Sequence, residues 1–464
     1  MTSSASVTAS RKPKQHRALR FLTTPSGSAL AAAVVGFFLS LLRGPAAAFF
    51  YDAQMYWLGA KAVVRFDDFY LDGGLGIRGA LSAFVYSPAA LVARVFGDDA
   101  SGVAVLVQNA VLISLVGAVI VPAIASRVVA LRPTHVWVST IIAVLVLGGF
   151  APYPLMDLWA AALLLVAIVL LMRRPWWSSI LAGGALAAAV NLRPAHLVPA
   201  ILILLVWAVY RWRSAWLPLL GAAAALFPQV VVNHVFVRAF SVFPTDTFLI
   251  TNIQAQYASF TVRYDTVPFA GTDPRLFFCS PDYASEVVGR IPASSGELAS
   301  SFLGNLPAAI LFMSQKVAAT LHWAPITPYA EPAGTFSPLT LLVIAVCAIG
   351  ILALVRAAVR TASMRKSPLL PMLFVLWLGC LATLAVSAPE SRFALPVVLV
   401  GLVGVLVALP VRASLRVSVL TTRSVWPWIA GTVVLSALLL ALGLSGLAHP
   451  APAGDATAAT CAAR

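Results

Sequence analysis

Acidic residues are scarce in this chain, 16 in 464, and charged residues of either sign make up only 10%. A water-soluble protein of this length carries roughly 25%. Cysteine is nearly missing, with four in all, which excludes a disulfide-dense scaffold and a zinc ribbon. There is no Gly-x-x-x-x-Gly-Lys phosphate loop, no Gly-x-Ser-x-Gly elbow, no His/Cys cluster at metal-ligand spacing, no internal repeat and no glycosylation sequon. ATP-driven and sugar-nucleotide mechanisms lose weight accordingly, and no cofactor and no metal-ligating residues are expected.

Apolar residues are abundant instead: 61% of the chain, with a mean hydropathy of +0.93. Runs long enough to cross a bilayer recur. They predict eleven spans, at 28–50, 102–126, 135–152, 155–172, 178–192, 195–210, 214–235, 337–355, 368–387, 394–410 and 427–447. The expected fold class is an all-α polytopic membrane protein with two long outer loops.

The net charge of +15 invites a nucleic-acid reading, which its distribution rejects. Basic residues crowd the amino-terminal tail (Arg11, Lys12, Lys14, Arg17, Arg20) and the short loops at Arg127/Arg132, Arg173/Arg174, Arg211/Arg213, Arg356 to Lys366 and Arg412 to Arg423. No acid falls in those segments. Short cytoplasmic loops rich in Lys and Arg set orientation, so the amino terminus is expected in the cytosol and the carboxyl terminus outside, in the plasma membrane. The apolar stretch 80–97 contains Arg94 and Pro88 and ends at Asp98 and Asp99. It reads as an interfacial helix, since counting it as a span would turn every basic loop outward.

The chain divides into a cytoplasmic tail (1–27), a seven-span module (28–235) holding the outer loop 51–101, a second outer loop (236–336), a four-span module (337–447) and an outer tail (448–464). In the first loop, residues 53–66 read as an interfacial helix and Gly73, Gly74 and Gly76 as a flexible turn. Residues 240–300 read as the soluble-looking part of the second loop. Residues 305–323, bearing Lys316, read as a helix flat on the outer surface. Cys347 and Cys380 sit within spans; Cys279 and Cys461 both fall outside, where they can either pair or stay free.

Ionisable and polar residues gather at the outer edge: Asp52 and Tyr56 after the first span, Asp157 at the fourth, Asn191, Arg193 and His196 between the fifth and sixth, Asn233, His234 and Arg238 after the seventh, and Glu390 and Arg392 at the tenth. Each alone has an ordinary structural use as a cap, a snorkelling cation or a loop ion pair; for Asp52 that use is capping helix 53–66. Together, a carboxylate beside arginines suits a transferase with an anionic lipid donor. Arginines hold the departing phosphate and a carboxylate takes the acceptor's proton.

Several stretches carry a family resemblance. Tyr51-Asp52-Ala53-Gln54-Met55-Tyr56 resembles the acidic motif after the first span of the GT-C integral-membrane glycosyltransferases. Tyr86-Ser87-Pro88 with Val95-Phe96-Gly97 resembles the Tyr-x-Pro…Phe-Gly run of their first loop. Asn191-Leu192-Arg193-Pro194 resembles the basic-Pro turn entering the sixth span, and Glu390-Ser391-Arg392-Phe393-Ala394-Leu395-Pro396 the Arg-Tyr-x-x-Pro signature, with Phe for Tyr. The branch resembled uses polyprenyl-phosphate sugars and includes protein mannosyltransferases and the aminoarabinose transferase of lipid A. Ala53 stands where many relatives carry a second acid.

The resemblance implies a catalytic base at Asp52, with Asp157 as second candidate. The matched motifs, together with the outer-edge placement of Arg238, Lys61, Asn233 and His234, suggest donor-phosphate contacts at Arg193, Arg392, Arg238 and Lys61, and substrate contacts at Tyr56, Tyr86, Asn191, Asn233, His234 and Glu390. The implied partners are a polyprenyl-phosphate-linked sugar, a glycan, glycolipid or protein acceptor, and the bilayer. High Ala and an excess of Arg over Lys fit a GC-rich genome, and an actinobacterial source would imply mannose or arabinofuranose. The competing reading is a transporter or lipid flippase of envelope biogenesis, for which paired broken helices would be expected.

Overall fold

The computed structural model describes residues 25–67, 78–244, 247–266, 275–323, 328–329, 338–360, 367–409, 426–452 and 457–464. The Gly73–Gly76 turn, the basic tail to residue 24 and the cationic residues at 365–366 and 412–423 lie outside the described residues.

Helices dominate. The amino-terminal half runs α1 (Pro25–Leu41), α2 (Tyr51–Arg65), α3 (Leu81–Val85), α4 (Ser87–Phe96), α5 (Asp98–Ala125), α6 (Pro133–Leu147), α7 (Met156–Leu171), α8 (Trp176–Leu192), α9 (Leu197–Tyr210) and α10 (Trp216–Val237). Then come α11 (Thr247–Ala258), β1 (Thr261–Thr266), β2 (Arg275–Cys279), α12 (Pro281–Val287), α13 (Ser295–Gly304) and α14 (Leu306–Leu321). The rest is α15 (Pro338–Arg360), α16 (Leu369–Val386), α17 (Leu395–Ala408), α18 (Trp426–Gly446), β3 (Pro450–Pro452) and α19 (Ala458–Ala462).

Among the described residues, seven helices are long and apolar enough to cross a membrane. They become eight if α13 and α14, bent by 118° at Asn305, count as one broken span. Five further apolar helices, among them α1, α4, α7 and α8, are shorter. Each predicted span overlaps a helix, although α1 stops at Leu41, short of the expected end at residue 50, and the stretch 80–97 is two short helices broken at Tyr86.

Close helix crossings come from glycine. At Gly183 of α8 a Cβ would overlap the Pro218 carbonyl, and at Gly221 of α10 it would overlap that of Ile180. Lipid supplies no hydrophobic drive between helices, so such backbone contact is a main source of packing energy. It fixes α8 against α10, the pair that braces the site described below.

The region from β1 to α14, with the carboxyl tail, departs from an all-α expectation. β1, β2 and β3 form an antiparallel sheet in that order. Leu276 to Phe278 of β2 face Pro452 to Pro450 of the carboxyl tail. Cys279 is bonded to Cys461, with Cα atoms 5.4 Å apart, so the tail is tied down rather than loose. Phe260, Val262, Phe277, Tyr283 and Phe312 form a separate small core there. Helix α14, expected flat on the surface, exposes Leu306, Ile310 and Leu311 but buries its second half. It packs on α16 and α18, and its Lys316 is fully buried.

Candidate active site

Six charged side chains from five separate parts of the chain meet in one place. Asp52 lies in the first turn of α2 and Asp157 in the first turn of α7, where the exposed backbone N–H groups favour a carboxylate. Arg193 is the residue that ends α8, where a cation is favoured. Glu390 and Arg392 flank the short turn that opens α17, and Arg78 comes from the loop before α3.

Asp52 receives Arg78 on Oδ1 at 2.8 Å and Arg392 on Oδ2 at 2.6 Å. Arg193 donates to Asp157 Oδ1 at 2.8 Å. Arg392 also pairs with Glu390 through Nε, and its Nη1 stands 3.7 Å from Asp157 Oδ2, too far for a hydrogen bond. Thr266, at the end of β1, donates to Glu390 Oε1 at 2.9 Å. The Arg193 guanidinium lies 4.3 Å from the Phe393 ring centroid.

Depth is graded. The Arg392 and Asp157 side chains are 4% and 3% exposed, whereas Asp52 and Arg78 reach 17% and 19%. Asp52 and Arg78 therefore form the mouth. The helix-capping use of Asp52 is set aside, because α2 begins at Tyr51 after Phe50 and makes no side-chain cap bond. Tyr51 itself sits at φ 48°. A left-handed conformation costs a bulky residue on the order of 1–2 kcal/mol, and such strain gathers at functional sites.

Among the described residues, four buried atoms at this place have no hydrogen-bond partner: Tyr56 Oη, Arg78 Nε, Arg392 Nη1 and Asp157 Oδ2. Tyr56 projects one turn beyond Asp52 on the same face of α2, and its ring lies 5.9 Å from the Arg78 guanidinium. Buried polar groups are normally satisfied, so this cluster offers donors and an acceptor to something else.

Burial opposes the charge on Asp52, but Arg78, Arg392 and Arg193 outweigh it and hold its pKa far below the ordinary carboxylate range. Burial pushes the pKa of Glu390 up, and Arg392 offsets this only in part. Burial raises the Tyr56 phenol as well.

The remaining expected residues are elsewhere or otherwise engaged. Asn191 and Asn233 build a brace with Gln229. Gln229 Oε1 accepts from the Ala80 backbone at 2.6 Å and from Asn191 at 3.0 Å, and its amide donates to Asn233 at 2.9 Å. Asn191 Oδ1 accepts from the Leu81 backbone at 2.9 Å. Asn233 donates to the Ser241 and Phe243 carbonyls. The brace seats the segment that carries Arg78. It works because residue 79 is glycine: any Cβ there would collide with Asn191.

Tyr86 is buried 2.9 Å from Asn109 Oδ1 and 3.0 Å from the Leu155 carbonyl, and so supports the entry to α7. Exposed His234 stacks on Phe240, and exposed Arg238 ends α10 at φ 57°. Neither joins the cluster. Lys61 pairs with Asp98 at 2.9 Å. It lies nine residues after Asp52, about half a turn out of phase at 3.6 residues per turn, and so on the opposite face of α2.

Arg78, Thr266, Asn109 and Gln229 were not singled out from sequence. Gln229 was the most readable, as an amide inside an apolar helix just after Pro228. Arg78 carried no pattern, being one arginine in a glycine-rich loop. In comparisons with known proteins, no family model, no curated protein and no solved structure matches this chain.

Proposed function

We propose that the chain is a membrane glycosyltransferase that moves one sugar from a polyprenyl-phosphate donor to a cell-envelope glycan, lipid or protein on the outer face of the plasma membrane. Mannose and arabinofuranose are the favoured sugars. The observation that carries this reading is the graded cluster of three carboxylates and three arginines, with Asp52 at its mouth and four buried polar atoms left unpaired. The eleven-span topology with the amino terminus inside belongs to the same reading and draws on the basic loops.

The chemistry balances as follows. The acceptor hydroxyl oxygen attacks the anomeric carbon, the bond from that carbon to the phosphate oxygen breaks, and the polyprenyl phosphate leaves with one more negative charge. The hydroxyl proton passes to a carboxylate. At rest Asp52 is a weak base, because Arg78 and Arg392 both neutralise it. A donor phosphate bound on the same two guanidiniums shares their charge and restores basicity to Asp52. Three acids against three arginines leave no net charge for an anion. Burial disfavours the charged form of Glu390, and an anion bound beside it would disfavour that form further, so proton uptake at Glu390 on donor binding would leave the cluster cationic. Tyr56 Oη and Arg392 Nη1 are free to donate to phosphate or sugar oxygens.

The test is Asp52→Asn assayed with a polyprenyl-phosphate sugar and membrane acceptor. Donor binding is retained and turnover falls by about 10²–10⁴, the size of a general-base contribution. Transfer at more than about a tenth of the wild-type rate would move the role to Asp157. Absence of transfer by the wild type across polyprenyl-phosphate sugars, with passage of lipid across vesicles, would favour the flippase.

A further inference from the structure

A second basic site lies on the far side of α2. A cavity of about 240 Å³ separates α2 from α4 and is lined by Lys61, Val64, Arg65, Ala90, Ala93, Arg94, Gly97 and Asp98. Three cations face one acid there; Asp67 and Asp99 are exposed neighbours in sequence that do not line it. Lys61 is engaged by Asp98 at 2.9 Å. Arg94 donates to the Val64 carbonyl, bridging the two helices. Arg65 has no hydrogen-bond or ion-pair partner among the described residues, and its charge is open to a ligand.

The surroundings are apolar. Leu58 precedes Lys61 by about one turn and Leu91 precedes Arg94 by about one turn, so each exposed leucine shares a helix face with a cation. Phe66, Val95 and Phe96 beside them are exposed as well. Basic pockets on amphipathic helices at a membrane edge suit anionic headgroups. Val64, Ala90 and Ala93 form an apolar wall against which the glycerol portion of a lipid can rest.

We infer that this cavity binds the phosphodiester headgroup of one anionic phospholipid, whose acyl chains lie along the exposed Leu58, Leu91, Val95 and Phe96. The site is independent of the ion cluster, because Lys61 and Asp52 project from opposite faces of α2. The lipid anchors the first outer loop to the bilayer and thereby holds the helix whose first turn carries Asp52.

Native mass measurement of the full chain in mild detergent tests this, with phosphatidylglycerol and phosphatidylcholine of the same acyl chains as probes. The wild type is expected to bind one phosphatidylglycerol at least about tenfold more tightly than phosphatidylcholine. Arg65→Gln should weaken that binding about fivefold, and the triple variant Lys61→Gln/Arg65→Gln/Arg94→Gln roughly a hundredfold, at the strength usual for one surface cation each. Equal binding of the two lipids by the wild type would overturn the proposal. So would unchanged phosphatidylglycerol binding in Arg65→Gln, which removes no hydrogen bond or ion pair among the described residues and decides the matter alone if the triple variant melts early. Displacement of the lipid by equimolar inorganic phosphate would mark a plain anion site and overturn the lipid assignment.

Discussion

Two buried cations, Arg392 and Lys316, answer the cost of desolvation in opposite ways. Lys316 meets no carboxylate. Its ammonium donates to the Ala258 carbonyl at the end of α11 and to the Ser387 carbonyl just past α16, and it lies 4.4 Å from the Phe312 ring centroid. Orphan carbonyls at helix ends need such donors. Arg392 instead touches Asp52, Glu390 and the edge of Asp157, and one of its nitrogens is left unpaired. A satisfied cation is a brace. A cation with a spare donor beside Asp157, which itself keeps one oxygen without a hydrogen bond among the described residues, can take a ligand.

The largest difference should appear on removing each cation. Arg392→Ala strands Glu390 and half of Asp52 in a buried site. Loss of a buried partner typically costs about 3–5 kcal/mol, and sugar transfer should disappear even in the fraction that stays folded. Thermal unfolding and transfer assays on the same preparation check both. A stable, active Arg392→Ala protein would mean that the cluster is ornamental.

Lys316→Met should act on stability alone. Two carbonyls lose a donor at about 1–3 kcal/mol each, and relief of the lysine's own desolvation offsets part of this. A net loss of about 1–3 kcal/mol is expected, with turnover per folded molecule within about threefold of wild type. A selective loss of turnover would erase the contrast drawn between the two cations.

Gln229→Leu probes the brace under Arg78. It leaves the Ala80 N–H and the Asn191 amide without an acceptor. Use of the donor should weaken by about tenfold, since misplacing one charge-assisted contact costs on the order of 1.5–3 kcal/mol. The acceptor's KM should stay unchanged. Equal losses for donor and acceptor would point to general unfolding of the first loop.

The smallest effect is a slope. The pKa of Glu390 in the fold is raised above its ordinary 4.5, so its contribution is fully present below that value and is lost as pH rises through the folded pKa. Against Glu390→Gln, which does not titrate there, the wild-type melting temperature should decline across that window. Parallel pH profiles would show that Glu390 stays ionised throughout.

Much of this was legible in the sequence where one physical quantity dominated. Apolar run length located the seven helices long and apolar enough to cross a membrane, because desolvation dominates in lipid, but not the bent pair α13 and α14. Asp52, Asp157, Arg193, Glu390 and Arg392 were readable because an ionisable group at membrane depth has few bland explanations. Lys61, Arg238 and His234 met the same criterion of depth, yet depth says nothing of helix phase, and Lys61 lies half a turn from Asp52. Asn191 and Asn233 were legible as polar but not as braces, since Gln229 sits on the helix of Asn233 and 38 residues from Asn191, and only the crossing of α8 and α10 brings the three together. The sheet escaped because its third strand is three residues of the carboxyl tail, Pro450–Pro452, too short and too distant in sequence for any pattern of alternation.

The order of residues in the cluster bears on how the protein is made. Asp52 has Arg78 only 26 residues downstream, Asp157 has Arg193 at the far end of the next helix, and Glu390 has Arg392 two positions on. Each acid that emerges from the ribosome is followed by its own arginine before the chain moves to the next. Three neutral pairs can thus enter the bilayer one after another, with no bare carboxylate waiting in lipid for the carboxyl-terminal helices. Arg392, the last of the six to be synthesised, then joins the pairs by reaching back across 340 residues to Asp52. A chain truncated before α17 should therefore insert without difficulty and yet never close the ion cluster around Asp52.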